Sequence, residues 1–199
     1  IMDSEGSIEI PINYQGHLQN KNIVGSHINN YDSMLVLSHF KGHKMGGFGG
    51  ALKNISIGVA SSNGKAWIHS VGRTTSPAEL WNYTEDQDGF LESMAEADKA
   101  VIDYFGSDNM VYINVANKIS IDCDCAPNPS EPEMADIGIY ASLDPVALDK
   151  CCYDAIINSK DEGKASLIKR MEEKHAIHTV ETAESLGIGT TDYELINID

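Results

Sequence analysis

Four apolar residues in succession, MLVL (34–37), run directly into SHFKGHKMGGFGGALKN (38–54), where glycine stands at 42, 46, 47, 49 and 50. A strand with one wet face alternates apolar and polar residues, so an unbroken apolar run is expected of a strand covered on both faces. Such a strand belongs in a sheet sandwiched between helices. The glycines begin where this strand should end, and ligands of open α/β sheets sit beyond the carboxyl ends of the strands. A buried strand feeding a freely bending loop therefore points to an α/β fold and marks 39–69 as the first place to look for chemistry.

The rest of the chain alternates in the same sense. SIEIPI (7–12), NIVGSHI (22–28), MVYINVANKIS (110–120) and DIGIYAS (136–142) have strand character and are bounded by Gly, Asn and Asp turns. From Asp88, Leu91, Met94, Ala95, Val101, Ile102 and Phe105 recur at helical spacing, with Gly106 as a stop. Asp144 and Pro145 read as N-cap and first-turn proline of a helix through VALDKCCYDAIINS. The tail offers two more helical stretches, 164–175 and 179–187, and a last strand, DYELINI (192–198). The expectation is a single α/β domain over residues 1–199, with a mixed or mainly parallel sheet flanked by helices. The abrupt start at Ile1, ahead of Met2, suggests a fragment of a longer protein that lacks its N-terminal part.

Thirty acidic residues against fourteen basic ones give a net charge of −16. Such a field repels phosphate backbones, so nucleic acid is not an expected partner. No apolar run reaches the roughly 18 to 20 residues of a membrane helix, so no membrane partner is expected and the chain reads as cytoplasmic. Of the four cysteines, Cys123 and Cys125 are too close in sequence for an ordinary internal bridge, as are Cys151 and Cys152, which is consistent with reduced thiols. No motif assigns an oligomeric state.

Two constellations carry chemistry. The first is the glycine-rich segment. His39, His43 and His69 are candidate metal ligands there, because neutral imidazole is a common ligand of borderline metals. Lys41, Lys44, Lys53 and Lys65 place four of the fourteen basic residues within twenty-five positions; a solvated lysine is the plain reading, an anion clamp or covalent attachment point the functional one. Gly46, Gly47, Gly49 and Gly50, with Lys41, would let the backbone approach a cofactor, and a helix opening near Ala51 would aim free N–H groups at an anion. Neither the phosphate-loop pattern nor the dinucleotide fingerprint is present. The second constellation is DCDC (122–125). On an extended chain Cys123 and Cys125 share one face and could reach one metal, while Asp122 and Asp124 point away. The CxxC repeats from which an iron–sulfur cluster is built locally are absent. Cys151 and Cys152 read as packing residues, and His175 and His178, one helical turn apart, as surface or capping residues.

HFKGHKMGGFGGALKN, IGVASSNGKAWIHS and DCDCAPNPSEPEMADIGIYASLDPVALDK together resemble the domain of unknown function 362 family over nearly the whole chain. Members of that family carry iron–sulfur or ferredoxin-like descriptions, often have additional N-terminal sequence, and often contain a ferredoxin module with CxxC repeats that this chain lacks. A weaker likeness joins His43, Lys53 and His69 to the nickel-pincer lactate racemases, in which a lysine anchors a modified nicotinate and histidines bind nickel or move protons. That likeness implies Lys53 as attachment point and the two histidines as ligand and acid/base.

Three functions are thus expected to compete. The first is a metal- or metal-cofactor-binding protein, with iron, nickel or zinc held by His39, His43, His69, Cys123 and Cys125, serving redox or related chemistry on a small molecule. The second is a racemase or epimerase of a small hydroxy acid, with Lys53, His43 and His69 as catalytic groups. The third is a non-catalytic acidic domain that docks a basic protein.

Overall fold

The computed structural model describes residues 1–198. Its centre is a three-stranded mixed sheet in the order β3-β6-β7. The strands β3 (Met34–His39) and β6 (Met110–Ala116) run parallel, and β7 (Gly138–Ser142) returns antiparallel on β6. An N-terminal antiparallel pair, β1 (Ser7–Pro11) and β2 (Lys21–Gly25), forms a separate ribbon. A third pair, β4 (Lys41–His43) and β5 (Gly47–Gly49), is folded out of the glycine-rich segment itself. The α/β expectation holds, with a mixed sheet.

The helices follow their sequence signals. α1 (Ala51–Lys53) continues through a π-helical turn at Asn54–Gly58, and α2 (Ser62–His69) is capped by the Ser61 hydroxyl, which accepts from Gly64 N. The long α3 (Gln87–Phe105) is capped by Asp86 and ends on Gly106 at φ 82°, a conformation costly for any other residue. α4 (Pro145–Asn158) opens as expected, with the Asp144 carboxylate accepting from Val146 N and Ala147 N. α5 (Ala165–Glu173) and α6 (Ile177–Ser185) close the chain, and Cys151 and Cys152 are buried in the core. No helix among the described residues is long and apolar enough to cross a membrane.

Two expectations are corrected. The sheet is covered on one face only: Val36, Tyr112 and Asn114 point into the core beneath α1 and α4, whereas Leu35 and Leu37 are 64% and 61% exposed. Of the four apolar residues only Val36 is buried, packed in one core cluster with Ala51, Ile55 and Leu148. The tail over 192–198 is not a strand, and no partner strand lies beside it among the described residues; Leu195 and Ile196 remain exposed.

The interior carries two buried carboxyls. Asp149, on α4, receives hydrogen bonds from Ala51 N (2.8 Å), Leu52 N (3.0 Å) and Asn114 Nδ2 (2.7 Å). Burial pushes its carboxyl up to about 6, with those three donors pulling the other way. Asp98, on α3, is also fully buried; burial and then the nearby Asp149 push it well above the carboxylate range, with the Ser56 hydroxyl opposing them. Both groups keep their proton in the folded chain over a range where the unfolded chain has lost it. The stability these two carboxyls contribute is therefore complete below about pH 4 and lost as pH rises through about 6, with Asp149 alone responsible for a loss of about 3 kcal/mol, while the buried imidazoles of His43 and His69, held below their ordinary range, act with the opposite sign as pH rises. Asp122 and Asp124, held below the usual range, act with the opposite sign only at more acidic pH. The difference between the urea midpoints of wild type and Asp149→Asn isolates the Asp149 contribution and should narrow as pH rises from about 4 to about 6; a difference that stays constant over that range would contradict this placement of the carboxyl.

Candidate metal centre

The site forms where β3 leaves the sheet. Phe40 is fully buried and anchors the exit, so Lys41 to His43 can turn away as β4. His43 ends that strand, and its Nδ1 accepts from the backbone N–H groups of Met45 (3.2 Å) and Gly46 (2.9 Å), closing the tight loop to β5. This hydrogen bonding fixes the ring. With Nδ1 occupied as an acceptor, the neutral imidazole carries its proton on Nε2, and Nε2 is the atom that faces Cys125 Sγ, 4.0 Å away. Burial, with Lys53, His69, Lys41 and Arg170 adding to it, pushes the His43 imidazole down to about 3, so the ring is uncharged at neutral pH.

The cysteines arrive on the loop after β6. Gly42 N donates to Ser120 O (2.8 Å), and a Cβ on Gly42 would lie 2.1 Å from the Ile121 carbonyl oxygen, so this approach of two backbones requires glycine. Arg170 of α5 braces the loop through Ile121 O and Asp122. Residues 123–126 then form a turn closed by Ala126 N to Cys123 O (2.9 Å), and Cys125 N donates to Cys123 Sγ (3.3 Å). A turn, and not the extended pleat expected from the spacing, thus brings the thiols together. Cys123 is buried and Cys125 exposed. His43, Cys123 and Cys125 form the one group of three potential metal ligands found among the described residues, with their donor atoms within 4.8 Å of one another.

The other candidates surround this group. Lys53 projects from α1; burial lowers its pKa while the thiols of Cys123 and Cys125 oppose that shift, and its ammonium has no hydrogen-bond or ion-pair partner among the described residues. His69 donates from Nδ1 to Lys65 O (2.7 Å) and stacks on Phe90, which leaves its Nε2 as a free lone pair. It lies outside the three-ligand group, yet near enough that Lys53 and Lys65 add to burial in holding its pKa down. Lys41 donates to His39 O (2.9 Å) and lies 3.3 Å from Asp124. Both nitrogens of His39 are engaged, with Asp124 (3.0 Å) and Asn117 O (2.7 Å), so it stands apart from the cysteines.

The glycines make room for the protein's own atoms. A Cβ on Gly47 would meet Ala176, one on Gly50 the Asp149 carboxylate, one on Gly46 His43 Nδ1 (3.6 Å), and one on Gly49 the Lys53 side chain (3.2 Å). The N–H groups at the start of α1, expected to face a bound anion, are taken by Asp149. Asp149, Arg170 and Gly42 were invisible as site residues in the sequence because their partners lie far along the chain; the only local hint was a buried-looking acid in the ALDKCC stripe.

The model of the domain of unknown function family (DUF362) matches residues 1–154, and the chain belongs to that family. The match takes in His43, Lys53, His69 and both cysteines of DCDC but not Arg170. No curated protein and no solved structure matches the chain. The family is shown; the likeness to nickel-pincer racemases is not.

Proposed function

We propose that the protein binds one thiolate-preferring metal ion through Cys123, Cys125 and His43, and presents it to a small anionic molecule between Lys41, Lys53 and His69. The observation that carries this reading is the His43–Cys123–Cys125 group, with its donor atoms within 4.8 Å. Two soft sulfurs and one borderline nitrogen suit zinc, iron(II) or nickel, and an oxygen-seeking ion such as magnesium poorly. Three protein donors leave a coordination position for a substrate, as in catalytic sites. A four-iron cluster would need more thiolates than this set offers.

His43 ligates at a cost. A ligating histidine is a neutral imidazole, so binding through Nε2 moves the ring proton to Nδ1, and Nδ1 must then give up the Met45 and Gly46 N–H groups it accepts from. When bound, the ion supplies Lewis-acid polarisation of an oxygen on the small molecule. Lys53, without a partner of its own, supplies positive charge for a carboxylate or phosphate in a protein whose net charge is −16. His69 Nε2 offers a lone pair that can take a proton.

Reduced, metal-free protein dialysed against zinc should take up roughly one equivalent, releasing about two protons near neutral pH, both from the thiols, because His43 is already uncharged. Buffer-dependent calorimetry counts them. A release of about one proton or fewer would remove a thiolate from the ligand set, and no uptake of zinc, iron or nickel would sink the reading.

A further inference from the structure

The two thiols sit in a geometry that serves a second purpose. The turn at 123–126 folds Cys123 Sγ back over the N–H of Cys125, so the sulfurs face each other across one short loop and both lie in the same 4.8 Å group. The spacing of the two cysteines alone argues against an ordinary bridge, but the 123–126 turn overturns that expectation by setting their sulfurs within 4.8 Å of each other, and a disulfide needs them to close to about 2.0 Å. Their exposure is unequal: Cys125 is open to solvent and Cys123 is buried. The remaining pair, Cys151 and Cys152, is 7% and 1% exposed and shielded from any oxidant.

We propose that Cys123 and Cys125 form a reversible intramolecular disulfide, with exposed Cys125 as the attacking thiol and buried Cys123 as the resolving one, and that this oxidation closes the metal site. The oxidant is a small disulfide of the glutathione type. The Cys125 thiolate attacks one sulfur of that disulfide, forming a mixed disulfide and expelling one small thiolate. The Cys123 thiolate then attacks Cys125 Sγ, the mixed bond breaks, and the second small thiolate leaves as the Cys123–Cys125 bond forms. Two electrons pass from the protein to the small disulfide, and the two protein protons go to solvent or to the departing thiolates. His43 Nε2–H, facing Cys125 Sγ, is placed to donate to a thiolate there. The dithiol step stands on the turn and the exposures alone; its effect on metal rests on the binding reading above, because disulfide sulfurs are poor ligands.

The test equilibrates the full chain with a strong chelator in glutathione buffers of increasing oxidised fraction, traps free thiols with iodoacetamide, and reads intact mass and peptide maps. The expected result is joint protection of Cys123 and Cys125, with Cys151 and Cys152 still alkylated once the protein is denatured, and full recovery on reduction. Cys123→Ser should accumulate a glutathione adduct on Cys125, whereas Cys125→Ser should collect roughly tenfold less on Cys123. Thiols that stay free across the whole series, or equal adducts on the two variants, would overturn the assignment. Zinc uptake by the reduced and the oxidised chain is read separately and should be lost on oxidation. Oxidation in a chain that never binds zinc would remove the metal reading and leave the disulfide standing; undiminished uptake by the oxidised chain would overturn the closing of the site.

Discussion

Serine in place of Cys123 or Cys125 should lower zinc affinity by at least ~100-fold, while His43→Ala should lower it by roughly tenfold. Loss of a group that merely orients a ligand costs 10- to 100-fold, so loss of a thiolate ligand sets a larger figure. A hydroxyl at the same place is too weakly acidic to replace a thiolate at neutral pH. The smaller effect at His43 follows from its hydrogen bonds: the ring binds metal through Nε2 only after its proton moves to Nδ1 and the Met45 and Gly46 N–H groups lose their acceptor, so part of its contribution is spent on that shift. His43→Ala also leaves Met45 N and Gly46 N without an acceptor, at about 1 kcal/mol of stability, which urea unfolding of the metal-free chain separates from the binding effect. Competition titrations against a chromogenic chelator give the three affinities. Equal, small losses for all three variants would mean the ion sits elsewhere.

Asp149→Ala should be the most damaging single change to stability, at about 3 to 5 kcal/mol. It strips the acceptor from Ala51 N, Leu52 N and Asn114 Nδ2, all buried, and each orphaned donor costs about 1 to 3 kcal/mol. The consequence reaches the site because Asp149 holds the first turn of α1, from which Lys53 projects. Asp149→Asn keeps the volume but presents an NH2 group to donors, so an intermediate loss is expected, one that shrinks as pH rises from about 4 to about 6 because the wild type loses the Asp149 contribution there. Denaturant midpoints of both variants across that range decide it. Wild-type stability in Asp149→Ala would show that the α1 start is satisfied by other means.

The elements that could be read from the sequence are those whose signals are local. Asp86 and Gly106 bracket α3, Asp144 with Pro145 opens α4, and both behave as their residue types require. The glycine-rich segment was legible as a place, and the structure brings His43, Lys53, Cys123 and Cys125 together there. How it is built was not legible. The segment spends its glycines on Ala176, Asp149 and the Ile121 backbone, contacts that span 79 to 129 positions of chain and leave no periodic trace. The DCDC pair was read as a pleat because period-two spacing suits a strand; a turn satisfies the same spacing. The exposed face of β3 and the irregular tail fail for one reason: residue type records a preference for strand, while burial and pairing depend on what other segments supply.

Cobalt(II) added to the reduced, zinc-free chain tests the centre most directly, because its absorption reports thiolate ligation and coordination number together. The account predicts an intense near-ultraviolet thiolate-to-cobalt band with visible bands of a four-coordinate ion. The ultraviolet band should fall by about half in Cys123→Ser and again by about half in Cys125→Ser, and vanish when both are replaced. A pale, six-coordinate spectrum without the ultraviolet band, unchanged by either substitution, would contradict it.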